Sequence, residues 1–360
     1  MRWAKLCSGA KHNLATSGMA NFPLAELGVT VDQLEINGPT VYGYQPLLDA
    51  IAARYRVDRD NVVTAMGTSL ANYLALAAAS EPGDEVLIEQ PTYDPILSVA
   101  MYLGLEIRRF ARPAEKGFGV DLEDLERNLS PRTRVIALCN LHNPSGAMVE
   151  HSVLREIAQL AGKHGAYVLV DEVYREMLFE AQPQSAFHVD PERFIVTSSL
   201  TKAYGLSGLR CGWVLAAREL TDRMWKLHDI HAGTYPFMAE ALSVIVFERL
   251  PEIARRAKAM LDENRRLLRN FLDRQDDLEF FWPQYGTVVF PRFKRGNVDD
   301  FCDLLRKQFG ASVVPGRFFE MPDRFRVGVG IPTEQVQVAL EQLGAALEQY
   351  RESFCARTSA

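Results

Sequence analysis

The sequence predicts an α/β protein: a large domain with a mostly parallel sheet sandwiched by helices, and a smaller α+β domain beside it. Three observations point there. The chain has 360 residues, too many for one small core, so two bodies are expected. Between about residues 60 and 216, short β-rich runs alternate with helical patterns, as in a parallel sheet covered on both faces. Beyond Pro236 the pattern changes to long amphipathic helices and brief strands, the mark of a separate lobe.

In chain order, strands are expected at Val86–Glu89, Glu106–Arg109, Val135–Leu138, Tyr167–Val170, Phe194–Ser198 and Trp213–Ala216, each a short run rich in apolar and β-branched residues. Helices fit between them, at Leu70–Ala79 and Val153–His164. Asp121 is placed to cap a third, running through Leu122, Leu125 and Leu129, because its carboxylate can accept from first-turn N–H groups. Further on come helical patterns over roughly 238–274, the run VVFPRF, a helix from Val298 to Gln308, the runs SVVP and RFRVGV, and a last helix from Glu334 to Tyr350. There is no internal repeat and no linker-like tract, so the lobes should pack directly. The expected division is 35–240 for the large domain, and 1–34 with 241–360 for the small one.

Composition narrows the function. Apolar residues make up 48% and charged residues 24%, the balance of a soluble globular protein. A net charge of −6 supplies no electropositive footprint for nucleic acid. The five cysteines, Cys7, Cys139, Cys211, Cys302 and Cys355, are scattered and odd in number, which argues for a reducing compartment rather than a disulfide framework. No signal-peptide pattern opens the chain, and no apolar run approaches the roughly 18 residues that span a bilayer. A cytoplasmic protein is expected. His228 and His231 flank Asp229 without further ligands, so no metal site is expected. No G-x-S-x-G elbow, phosphate-binding Walker loop or dinucleotide glycine fingerprint is present.

Four short motifs carry chemistry, and each has a plain reading when taken alone. Met66-Gly67-Thr68-Ser69 precedes a helix, where N–H groups and hydroxyls can hold a phosphate, or simply cap the helix. Asn140 to Gly146, NLHNPSG, is a strong turn signal. Asp171, with Glu172, Val173 and Tyr174 after it, ends a buried strand, where open α/β sheets place ligands; a lone acid there can also be a solvated strand end. Lys202 lies in SSLTKAYGLSGLRCGW (198–213), and by itself would read as a surface lysine.

What joins them is their order on the strand ends of one sheet. From about Gly18 to Gly328 the chain resembles the class I/II aminotransferases, pyridoxal-phosphate enzymes of fold type I with a seven-stranded type of sheet. The 198–213 segment is similar to that family's Ser-x-Ser/Thr-Lys stretch followed by Gly-x-Arg-x-Gly.

The resemblance implies a role for each residue. Lys202 would hold the cofactor as a Schiff base and act as general acid and base. Asp171 would pair with the pyridine nitrogen, and Asn143 and Tyr174 with the phenolic oxygen. Tyr93, in Gln90-Pro91-Thr92-Tyr93, would stack on the ring. Thr68, Ser69, Ser199, Thr201 and Arg210 would hold the phosphate. Arg326, in Phe325-Arg326-Val327-Gly328, would fork onto the substrate carboxylate, with Asn143 and Gly18 also contacting substrate; Gly18 belongs to Ala15-Thr16-Ser17-Gly18, a segment that closes over it. Tyr42, or Tyr44 two residues on, would reach the phosphate of a partner in a homodimer, and an ordinary turn is the alternative.

The reaction implied is transfer of an amino group between an amino acid and a 2-oxo acid. C–S lysis stays open, as does cyclisation, because residues 290–328 also look like capreomycidine synthase-type enzymes. A non-catalytic sensor on the same fold is the reading from another class, opposed by the full set of site residues and by a chain that starts almost at the substrate-closing segment. No second arginine is placed for a dicarboxylate. Phe22, Tyr42, Tyr44 and Met19 could line an apolar pocket or merely fill the core.

Overall fold

The structure is a computed structural model that describes residues 3, 9–180 and 182–358, with side chains as far as 353. Its centre is a seven-stranded sheet: β1 (Val62–Met66), β2 (Glu85–Gln90), β3 (Glu106–Ala111), β4 (Thr133–Cys139), β5 (Tyr167–Asp171), β6 (Phe194–Ser199) and β7 (Cys211–Leu215). They lie in the order β1-β7-β6-β5-β4-β2-β3. Only β7 runs antiparallel to its neighbours. The six expected strands are all present, with ends shifted by a residue or two. β1 was not among those expected.

Alternation along the strands builds two cores. Ile136, Leu138, Val168, Val170, Phe194 and Val196 face one apolar cluster, while Val135, Ala137, Leu169 and Ile195 face the other, as a period of two requires. The first face is covered by α1 (Gln45–Tyr55), α4 (Leu122–Asn128) and α5 (His151–His164); the second by α2 (Thr68–Ala79), α3 (Asp94–Tyr102) and α6 (Arg218–His231). Asp121 caps α4 as expected, accepting from Asp124 N at 3.0 Å.

The long helix α7 (Phe237–Leu272) links this sheet to a further core. Val246, Leu250 and Ile253 pack on the sheet side, whereas Ala257, Leu261, Leu268 and Leu272 join Leu14, Phe301, Phe325 and Leu343 in the second body. That body holds α8 (Val298–Gln308), α9 (Thr333–Thr358) and a three-stranded sheet whose middle strand is Phe325–Gly328. The N-terminal segment threads into it: Gly328 N donates to Leu14 O at 2.7 Å, and a Cβ at Gly328 would lie 1.7 Å from Thr16 O. Only glycine permits that approach.

Among the described residues, Cys139, Cys211 and Cys302 are free and buried; Cys7 and the Cys355 side chain lie outside them. His228 is buried against Tyr235, with ring centroids 4.1 Å apart, a packing role. No described helix is long and apolar enough to cross a membrane.

Candidate active site

The carboxyl ends of β4, β5 and β6 stand side by side. Register pairs Cys139 with Asp171 and Asp171 with Thr197. Above them opens a cavity of about 420 Å³, walled by Thr68, Ser69, Tyr93, Asn143, Asp171, Tyr174, Ser199, Thr201, Lys202 and Arg210, with Cys139 and Val173. Ten residues drawn from the four motifs and from the Tyr93 segment therefore line one cavity. A second cavity, about 250 Å³, shares Tyr93 and Lys202 with the first and adds Ala15, Thr16, Ser17 and Arg326.

Asp171 is held rather than solvated. Asn72, on α2, donates to its Oδ2 at 2.8 Å, and Val173 N donates to Oδ1 at 3.0 Å. Burial pushes its carboxyl up to about 6, against the opposing pull of Asn72, Val173 and the Lys202 charge. An acid buried this deeply is stable when a cation comes to meet it.

Lys202 follows β6 in a turn, and its Nζ donates to Ser17 Oγ at 3.2 Å. The N-terminal segment is laid against it: Met19 N donates to Lys202 O at 2.7 Å, and Gly18 sits so close that a Cβ there would meet Lys202 Cδ at 3.2 Å. Thr287 Oγ1 fixes the same segment through Ser17 O at 2.8 Å.

The start of α2 forms one wall. Thr68 Oγ1 donates to Ser199 Oγ at 2.9 Å, and Thr201 N donates to the same oxygen at 3.3 Å. Thr201 Oγ1 is buried and unpartnered. Arg210, in the left-handed region at φ 52°, reaches Met66 O at 3.0 Å. It lies over Gly67, where a Cβ would fall 2.2 Å from its Nη2. This concentration of hydroxyls, a guanidinium and helix-start N–H groups suits a phosphate dianion.

Arg326 is buried, yet no acid pairs with it among the described residues. Its Nη1 donates to Asn143 Oδ1 at 2.7 Å and its Nη2 to Ala15 O at 3.0 Å, both neutral acceptors, while Nε has no partner. Burial lowers its affinity for the proton, partly offset by Tyr174 and Tyr93. The residue before Asn143 is held on both sides of its ring. His142 Nε2 lies 2.9 Å from Pro91 O and Nδ1 2.6 Å from Ser145 Oγ. A carbonyl only accepts, so Nε2 carries the proton and Ser145 donates to Nδ1.

Some expected residues stay apart. Tyr42 donates to Asp229 Oδ2 at 3.1 Å and packs beside Trp225, outside both cavities. Tyr44 meets Phe237 edge-on, Met19 joins the second core, and Phe22 lies under Arg256. Asn72, Ser17 and Thr287 were not singled out from the sequence. Asn72 carried a local signal: it is a polar residue on the apolar face of an alanine-rich helix, one turn after Thr68.

A mostly parallel seven-stranded sheet, with a buried acid and a lysine at its strand ends and a phosphate cradle beside them, defines a pyridoxal-phosphate-dependent protein of fold type I. The chain belongs to the class I and II aminotransferase family, whose model matches residues 25–343. It is 31% identical over 350 residues to the capreomycidine synthase of Streptomyces vinaceus, covering 94% of this chain and 90% of that one. Against the arginine–pyruvate transaminase AruH of Pseudomonas aeruginosa it is 28% identical over 324 residues, 84% of this chain and 80% of the other. A solved PLP-dependent aminotransferase from Streptococcus suis 89-1591 superposes with a TM-score of 0.91 at 27% identity, covering 97% and 96% of the two chains. The cofactor is pyridoxal phosphate, and the residues present fit it: Thr201 Oγ1 is buried and unpartnered, Arg210 lies over Gly67 just before α2, and Asp171 is a buried acid at the strand end.

Proposed function

We propose that this protein is an aminotransferase, moving an amino group from an α-amino acid to a 2-oxo acid. One observation carries the reading: Arg326, a buried arginine with no acidic partner among the described residues, shares a cavity with Lys202. A buried guanidinium is costly until an anion meets it, and the α-carboxylate of an amino acid bound at Lys202 would do so.

In this reading Thr68, Ser69, Ser199, Thr201 and Arg210 hold the phosphate, Tyr93 stacks on the ring, and Asn143 and Tyr174 bond its phenolic oxygen. Asp171 would pair with the pyridine nitrogen and favour its protonated form. When bound, pyridoxal phosphate supplies an electron sink for the bonds at the substrate Cα. Lys202 Nζ would be the amine that tethers the cofactor and the base placed to move the substrate Cα proton. Arg326 and Asn143 fix the α-carboxylate, while Gly18 and its neighbours exclude water. In this reading the protein is a cytoplasmic homodimer in which Tyr42 serves the partner's phosphate.

Cyclisation is a second reading, favoured by the 31% identity to a capreomycidine synthase over 94% of the chain. The deciding experiment presents a panel of amino donors with several 2-oxo acids and follows both products by mass. Transamination yields a 2-oxo acid from the donor and a new amino acid, with no ammonia. Retention of the amine in a dehydrated or ring-closed product would replace this reading with cyclisation, and release of ammonia with lysis.

A further inference from the structure

We propose that Arg109 and Glu320 form a latch between the large sheet and the second body, and that this latch positions Arg326 for the substrate carboxylate. The inference rests on the aminotransferase reading, in which Arg326 takes that carboxylate, and adds two positioning residues to the site. Arg326 stands on the strand Phe325–Gly328, and its Cζ lies 5.1 Å from the centroid of the Phe319 ring. Phe319 is buried, with Phe290 edge-on at 5.6 Å. It ends the turn Gly316–Phe319, which follows Val314–Pro315, and Val314 pairs with Arg326 in register. The turn therefore decides where this ring lies against the guanidinium.

The next residue is Glu320, at φ 63°. That left-handed region suits glycine and disfavours any residue with a Cβ, so a side chain held there calls for a reason. Its carboxylate supplies one. Both oxygens accept from Arg109, Oε1 from Nη1 at 2.6 Å and Oε2 from Nη2 at 2.5 Å. Arg109 is itself pinned. It belongs to the edge strand β3, and its Nη2 and Nε donate to Glu89 O at 2.8 Å and Ile88 O at 3.3 Å on β2. From its last residue, Gln90, β2 leads within three residues to Tyr93, expected to stack on the cofactor. The large sheet thus grips the hairpin that carries Arg326. An exposed ion pair adds little, but a two-bond fork fixes direction as well as distance, and these side chains are only 22% and 35% exposed. Breaking the fork frees the turn, lets the Phe319 ring shift and leaves the Arg326 guanidinium without a fixed plane for a carboxylate.

The test uses the holoenzyme and two probes, aminooxyacetate and O-methylhydroxylamine, which react with the cofactor through the same aminooxy group; only the first has a carboxylate. Loss of the cofactor's visible absorbance gives both rates, and their ratio reads carboxylate recognition whatever the natural substrate is. The wild type should favour aminooxyacetate by about tenfold or more, and Arg326→Gln should remove the preference. Glu320→Gln and Arg109→Gln should each lower it about three- to fivefold. The double variant should lower it no further, because either change opens the same latch. Glu320→Gly, which relieves the left-handed position, should lower the preference equally without lowering the urea midpoint. An unchanged preference in the single variants overturns the latch, whatever their midpoints do, and so does a double variant whose loss is the product of the two. Either result leaves the aminotransferase reading standing. A wild type without the preference removes Arg326 from that reading, and the latch with it.

Discussion

Asn72 donates to Asp171 Oδ2 at 2.8 Å while its own Oδ1 accepts from Thr197 Oγ1 at 2.6 Å. The amide is thus oriented by a neighbour: Thr197 can give its proton only to the oxygen end, which turns the NH₂ end toward the acid. Asp171 is the acid expected to meet the cofactor, and this chain of two bonds decides which way it faces.

The first prediction concerns pH. Asp171 titrates at about 6, above its ordinary 3.8, chiefly through burial. The folded protein therefore keeps a proton between those values that the unfolded chain releases. The stabilisation is full below about 4 and is lost as pH rises through about 6, amounting to about 3 kcal/mol. Thermal melts of the cofactor-free protein from pH 4 to 6.5 should fall more steeply for the wild type than for Asp171→Asn; parallel slopes would contradict the assignment.

Asp171→Ala should keep much of its cofactor binding but lose turnover about 10²-fold or more, because a charge preorganised in the site is gone. Steady-state rates with the cofactor content measured alongside will check this. A variant of near wild-type rate removes Asp171 from the mechanism.

Borohydride should fix the cofactor on Lys202, and peptide mass mapping locates the adduct. Lys202→Ala should show no adduct and a rate lower by about 10³-fold, within the range for loss of a general acid–base. An adduct on a different lysine overturns the site.

Arg326→Gln should raise KM for the amino donor by about 10- to 100-fold, the worth of charge-assisted bonds to a carboxylate, with a smaller effect on kcat. Since no described acid pairs with Arg326, the substitution should destabilise the free protein by less than about 1 kcal/mol. Steady-state kinetics and denaturant unfolding give the two readouts. A large loss of stability with KM unmoved would make Arg326 structural.

The contrast is Arg112, fully buried with Glu89 at 2.7 Å and also bonded to Phe118 O at 2.7 Å. Arg112→Met leaves that carboxylate buried without its cation, held by Cys139 N at 2.7 Å, so it should cost about 3–5 kcal/mol in urea unfolding. A loss under about 1 kcal/mol would show that Glu89 finds a proton instead.

Legibility followed distance along the chain. Asp121 as a cap, Lys202 after a strand and Gly67-Thr68-Ser69 before a helix were readable because the groups that decide them are a few residues apart. β1 was missed although Val62, Val63 and Thr64 are β-branched, because its place comes from pairing with Cys211–Leu215. Asn72 was missed because its partners, Asp171 and Thr197, lie on two other elements.

By itself the sequence determined the alternation of strands and helices, the family, and the set of residues that chemistry would need. Tertiary structure alone decided that Arg326 meets Asn143 and that Ser17 meets Lys202. The physical reason is that strand order and loop closure bring together groups more than a hundred residues apart, and no local propensity records such distances.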